Sequence, residues 1–186
     1  MAFRSFVQQH RRRLGLLIGL IVSLMGLHLC SLVSFGSSIF SSRLRDVHNL
    51  AHTLSLIEQS DMQAFRNQGW CKNIAYSRGR FSSNTQSATC NLFAGTPQPF
   101  DAQARADFDA IAHRLAATGV RVTWLISTFD ASGRLQSVEF EIDCILCQRM
   151  AYVYAPGYGT LPDTIPEEVW FTAINDDWYL REEDWN

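Results

Sequence analysis

The chain has 186 residues, 47% hydrophobic and 12% aromatic, a composition that builds a folded core and excludes an intrinsically disordered chain. Its formal net charge of −2 hides an asymmetry: Arg4, Arg11, Arg12 and Arg13 stand before residue 14 without an acid. From residue 41 onward twelve basic residues face eighteen acidic ones, a balance that speaks against a nucleic-acid binder.

Residues 1–13 form the basic segment, and the apolar run directly after it gives those charges a use. Leu14 to Phe40, LGLLIGLIVSLMGLHLCSLVSFGSSIF, contains no Asp, Glu, Lys or Arg. A bilayer core needs about 20 apolar residues in a helix. Residues 14–36 meet that length, so they are assigned as a transmembrane helix. The arginines before it predict a cytoplasmic N-terminus and an exported remainder in the plasma (inner) membrane. The run is too long for a cleaved signal peptide, although Ser34-Phe35-Gly36 weakly resembles a cleavage site. Leu29 before Cys30 argues against a lipid anchor, and the pattern around the paired arginines is weak for a twin-arginine signal. His28 is read as a neutral imidazole within the helix. Gly15, Gly19, Ser23 and Gly26 suit close helix–helix contact, hence a protein partner or a homo-oligomer in the bilayer.

Residues 37–66 are assigned to a juxtamembrane amphipathic helix. Leu44, Val47, Leu50, Leu54, Ile57 and Phe65 recur at helical spacing, with a gap before Phe65. His48 and His52 stand one turn apart; with no third ligand at a recognised spacing they are read as solvated rather than metal-binding. Gly69 is the expected helix stop. Residues 67–186 form the extracytoplasmic domain, which opens with a cysteine-bounded loop or irregular hairpin between Trp70 and Phe93. Arg78 and Arg80 make a small basic spot there, a candidate contact for an anionic partner.

A second helix comes next. Asp101 is its N-cap, Ala104, Phe108, Ile111, Leu115 and Ala116 its apolar face, and Gly119 its stop. The rest reads as strand. Val120, Val122, Trp124, Ile126 and Thr128 alternate with Arg121, Thr123, Leu125 and Ser127. DASGR is a turn, with Gly133 free to take positive φ. Leu135, Val138, Phe140 and Ile142 return opposite Glu139, Glu141 and Asp143. RMAYVYAP is a third strand; VWFTAIN and WYLRE are the last two, joined at Asp176-Asp177. The expected fold is therefore α+β: an antiparallel β-meander of about five strands packed on one or two helices, cystatin-like or NTF2-like in general shape. That likeness concerns architecture and implies no activity.

Four cysteines lie in the exported part: Cys71, Cys90, Cys144 and Cys147. In an oxidising compartment they are disulfide candidates. Cys144-Ile145-Leu146-Cys147 follows a strand and enters another, so it lacks the helix N-terminus of a thiol redox centre. Gln148 stands where covalent haem attachment needs His. A zinc site would need a second close pair, and Cys71 and Cys90 are far apart in sequence. Local pairing, Cys71 with Cys90 and Cys144 with Cys147, is the first choice, with cross-pairing nearly as plausible.

No serine elbow, phosphate loop or hydrolase triad is recognisable; His113 is alone on its helix after residue 52. Glu139, Glu141 and Asp143 are read as a solvated sheet face rather than a calcium or acid–base site. No cofactor or metal is assigned. The stretch from Pro162 to Asn186 carries eight acids and three of the five tryptophans. Trp170 is assigned to the core. Glu182, Glu183 and Asp184 are expected in solvent, with Trp185 on an acidic arm, and Trp178 and Trp185 are the candidate partner contacts. The functional expectation is a non-catalytic interaction domain, or an accessory subunit of a membrane assembly. The alternative is a ligand-binding or enzymatic domain using the concave face of a curved sheet.

Overall fold

The computed structural model describes residues 41–91, 96–142, 149–157, 165 and 168–184. The basic segment and the expected membrane span, residues 1–13 and 14–36, lie outside the described residues. Among the described residues no helix is long and apolar enough to cross a membrane. From Arg43 onward the chain is one compact unit.

The fold is α+β, as expected, but its sheet is larger than five strands. Among the described residues there are two helices, α1 (41–60) and α2 (Ala102–Thr118), and eight strands. The strands are β1 (Met62–Gln68), β2 (Cys71–Tyr76), β3 (Phe81–Ser83), β4 (Val122–Phe129), β5 (Leu135–Ile142), β6 (Arg149–Tyr154), β7 (Val169–Ala173) and β8 (Trp178–Glu183). They form one antiparallel sheet in the order β3-β2-β1-β4-β5-β6-β8-β7.

The first difference from expectation lies at residues 61–83. The amphipathic helix stops at Ser60, not beyond residue 65. Asp61 takes a left-handed φ of 55°, and its amide closes on the Glu58 carbonyl. The next residues, MQAFRNQ, are fair helix formers, yet they enter the sheet as β1. Tertiary packing overrides propensity here: Phe65 is fully buried, 4.8 Å ring to ring from Phe108 of α2. Gly69 is therefore a hairpin turn between β1 and β2, with Gln68 opposite Cys71. The expected loop is largely the β2–β3 hairpin, turned at Gly79, whose φ is 81°. Cys71 and Cys90 are joined in a disulfide with Cα atoms 5.4 Å apart. Cys144 and Cys147 lie outside the described residues.

α2 matches the sequence reading closely. Asp101 accepts a 2.7 Å bond from the Ala104 amide, and Gly119 ends the helix at φ 76°. Ala104, Phe108, Ile111 and Leu115 are buried, whereas Ala116 is exposed. The β4–β5 turn is also as read. The Asp130 carboxylate accepts from the Ser132 hydroxyl, the amides of Ser132 and Arg134, and the Arg134 Nε. These donors, the Ser132 side chain first, hold its pKa down to about 2.

The meander breaks at its end. β6 pairs with β8, and β7 lies outside as an edge strand. Burial explains the swap. Trp178, Tyr179 and Leu180 are buried on both faces of β8, while β7 is half exposed. Trp170, assigned to the core, is among the exposed large apolar side chains, at 37%. Glu183, expected in solvent, is buried because β8 runs on through it.

Both helices pack on one face of the sheet. Val47, Leu50 and Ile57 of α1 and the buried face of α2 meet Phe65, Ile74, Leu125, Val138, Phe140, Tyr152, Trp178 and Leu180. Two tyrosines tie helices to strands. Tyr76 donates to Asp107 of α2 at 2.8 Å, and Tyr152 donates to Asp46 of α1 at 2.8 Å. Burial, reinforced by these carboxylates, raises both phenol pKa values far above the ordinary range.

Candidate functional site

The face of the sheet away from the helices carries the polar constellation. Its origin is strand parity together with one irregularity. A register shift between Val122 and Trp124 breaks the alternation expected for β4. Val122 packs on the core, and beyond the shift Leu125 and Ser127 are buried, so Trp124 turns to the helix-free face. There it stands opposite Arg66 of β1 and Glu141 of β5.

Cations flank the indole. The Arg66 guanidinium lies 5.0 Å from the Trp124 ring centroid and 5.6 Å from that of Trp70; the Arg149 guanidinium lies 5.3 Å from Trp124. Arg149 then grips Glu141, its Nε 2.7 Å from the carboxylate, and approaches Glu183 at 3.9 Å. Arg181 binds Glu139 at 2.9 Å and also pairs with Glu183. The row thus crosses β1, β4, β5, β6 and β8. Glu139 and Glu141, read from the sequence as a solvated face, are each paired with an arginine: Glu141 with Arg149 of the adjacent β6, and Glu139 with Arg181 of β8, reaching across β6. Arg66 differs from the other two arginines. Its Nη1 donates to the Thr89 carbonyl at 3.2 Å, and its buried Nε has no hydrogen-bond partner among the described residues.

Strand alternation within RMAYVY and WYLREE puts Arg149, Arg181 and Glu183 on one side. The β5–β6 pairing brings Arg149 to Glu141, and the β6–β8 pairing, which sequence reading missed, adds Arg181 and Glu183 to the row. The arrangement is one of mutual neutralisation: these carboxylates are occupied as ion-pair partners. Among the described residues no group of three His, Cys, Asp or Glu is placed to hold a metal ion. His48 and His52 are exposed on α1 with ring centroids 5.3 Å apart.

The remaining sequence candidates scatter. Trp178 is a core residue, 4% exposed, stacked on Phe140 at 5.8 Å and close to Tyr154 at 5.3 Å. Trp185 lies outside the described residues. Arg78 is exposed and pairs with Asp61 at 3.4 Å. Arg80 lies 3.9 Å over the Tyr76 ring and meets Asp101 and Asp107 at 3.8 Å, so it fastens the β2–β3 turn to the start of α2. The disulfide belongs to the same scaffold: Asn73 Nδ2 donates to the Cys90 carbonyl at 2.8 Å, holding the loop from Asn84 to Asn91 against β2. Among the described residues the exposed large apolar side chains are Leu44, Trp70, Ile165 and Trp170. Leu44 opens a groove of about 400 Å³ between α1 and the β7–β8 turn, floored by Val47 and Trp178 and rimmed by His48, Asp176 and Asp177.

These features define a disulfide-stapled α+β domain with one filled sheet face and one ion-paired face. No family model matches the chain, and no curated protein or solved structure is significantly similar to it. The expected cystatin-like or NTF2-like shape thus finds no support among solved structures.

Proposed function

We propose that this chain is a single-pass membrane protein whose extracytoplasmic α+β domain is a non-catalytic interaction module, an accessory subunit of a membrane assembly. The observation that carries the reading is the filled helix-bearing face. Phe65, Leu125, Phe140 and Leu180 are fully buried there, occupying the place where a ligand-binding or enzymatic domain on a curved sheet would keep its cavity. The Cys71–Cys90 bond supports export, since disulfides persist in oxidising compartments. The uncharged run 14–36 and the arginines before it support the anchor and its orientation.

The test uses the full-length chain in its own membranes. Protease applied from the extracytoplasmic side should digest the domain and spare the N-terminus. After solubilisation in mild detergent, the chain should migrate as a complex with a membrane protein in fixed stoichiometry. A protected domain would overturn the topology, and a strictly monomeric chain would overturn the accessory-subunit role.

A further inference from the structure

The two edges of the sheet are finished differently. At β3 the edge is closed: Ser83 donates to the Gln98 carbonyl and Gln98 to the Phe81 carbonyl, both at 2.9 Å. At β7 no strand among the described residues pairs with the outer side. Hydrogen-bonded pairs alternate along an antiparallel ladder, so the phase of β7 can be fixed from its ends. The Ile174 amide donates to the Trp178 carbonyl, and the Asp184 amide to the Glu168 carbonyl. Trp170 and Thr172 therefore bond inward, to Glu182 and Leu180. Val169, Phe171 and Ala173 direct their backbone groups outward. The Val169 amide is taken by the Ile165 carbonyl at 2.9 Å. Among the described residues, nothing takes the amides or the carbonyls of Phe171 and Ala173, and they are placed to pair with another chain.

Natural edge strands are blunted by charges, proline or a bulge. β7 reads Val-Trp-Phe-Thr-Ala and has none of these, and its register with β8 is regular. The surroundings select the occupant. Glu168, Asp176 and Asp177 are exposed around the strand, and Glu182 pairs with Trp170 across it. Arg181, the nearby cation, is already held by Glu139 and Glu183. A second copy pairing antiparallel about Phe171 would set acidic rim against acidic rim, which disfavours it.

We propose that the outer edge of β7 is a strand-addition site for an extended, cationic segment of another protein. Main-chain bonds to Phe171 and Ala173 would supply register, and Glu168, Asp176 and Asp177 would supply the charge preference. This rests on the reading of the domain as an interaction module and names the chemistry of its partner.

The probe is the peptide Lys-Val-Lys-Val-Lys-Val-Lys, added to the full-length chain in detergent micelles while amide exchange is followed residue by residue. The Phe171 and Ala173 amides exchange fast in the free protein and slow by at least about tenfold with the peptide. The Trp170 and Thr172 amides are slow throughout. Ala173→Pro removes an outward donor without breaking the β7–β8 ladder; it cuts peptide affinity by about tenfold with an unchanged melting temperature. Asp176→Asn with Asp177→Asn weakens binding and flattens its salt dependence. The proposal is overturned if neither outward amide slows, or if Glu-Val-Glu-Val-Glu-Val-Glu protects them equally. Protection that grows with protein concentration alone would overturn it in favour of a second copy. A stoichiometric partner that still co-purifies with Ala173→Pro would overturn the strand-addition site and leave the interaction-module reading standing.

Discussion

Replacing Glu183 with glutamine removes one charge from between two arginines while keeping the side chain's size. The Glu183 side chain is 8% exposed; Arg181 is 17% and Arg149 31% exposed. Truncating one partner of a fully buried pair costs about 3–5 kcal/mol, because a charge is left unpaired in a poorly solvated site. Here neither arginine is left alone, since Arg181 keeps Glu139 and Arg149 keeps Glu141. Both also retain some water. The expected loss is therefore about 1–2 kcal/mol, nearer the range of partly exposed pairs. For a domain of this size that lowers the melting temperature by about 2–8 °C. Phe140→Ala is the reference for a full core defect, at about 3–5 kcal/mol. Deleting residues 182–186 should exceed Glu183→Gln, because the end of β8 loses its pairing to Arg149 and Val169 as well. The measurement is thermal and urea unfolding of the full-length chain in one detergent, followed by circular dichroism. A loss below about 0.5 kcal/mol for Glu183→Gln would refute the network's contribution. A loss equal to that of Phe140→Ala would refute the claim that the neighbouring glutamates compensate.

Reducing the Cys71–Cys90 bond should lower stability by about 3 kcal/mol, the loop-closure value for a separation of 19 residues, and increase proteolytic nicking between Asn84 and Asn91; an unchanged unfolding midpoint in reductant would refute this. Tyr76 and Tyr152 have folded pKa values raised above 10.0, so their contribution is complete below pH 10 and lost as pH rises above it. Phenolate absorbance should show two tyrosines that ionise only with unfolding, and Tyr152→Phe should abolish one of those delayed steps; normal ionisation of every tyrosine in the folded chain would refute the buried assignment.

The parts legible in the sequence are those whose signals are local. α2 carries its own start and stop in Asp101 and Gly119, and the β4–β5 hairpin is announced by Asp130 and Gly133 between alternating runs. The Cys71–Cys90 pair comes from placing the chain in an oxidising space. The parts that were not legible depend on partners distant in sequence. β1 looks like the tail of a helix until Phe65 is seen against Phe108. The bulge after Val122 reverses the facing of Trp124, and no alternation count contains that. The inner position of β8 is decided by burial on both faces, against the simpler meander. Because that pairing was unread, Arg181 and Glu183 could not be placed beside Glu139 and Arg149.

The Tyr152–Asp46 bond joins residues 106 positions apart, and so sets a schedule for the chain. α1 leaves the ribosome early, carrying Val47, Leu50 and Ile57 on one stripe, and part of its cover, β6 and β8, is made last. At about 5–20 residues per second that interval lasts on the order of 10 s, far longer than a helix or hairpin needs to form. During those seconds the stripe has no complete sheet to lie on. Folding is thus obliged to wait for the C-terminal strands, and the nascent domain depends on whatever shields an apolar helix in the meantime. A late frameshift, though it spares every residue before β8, would release a chain whose first helix never finds its full cover.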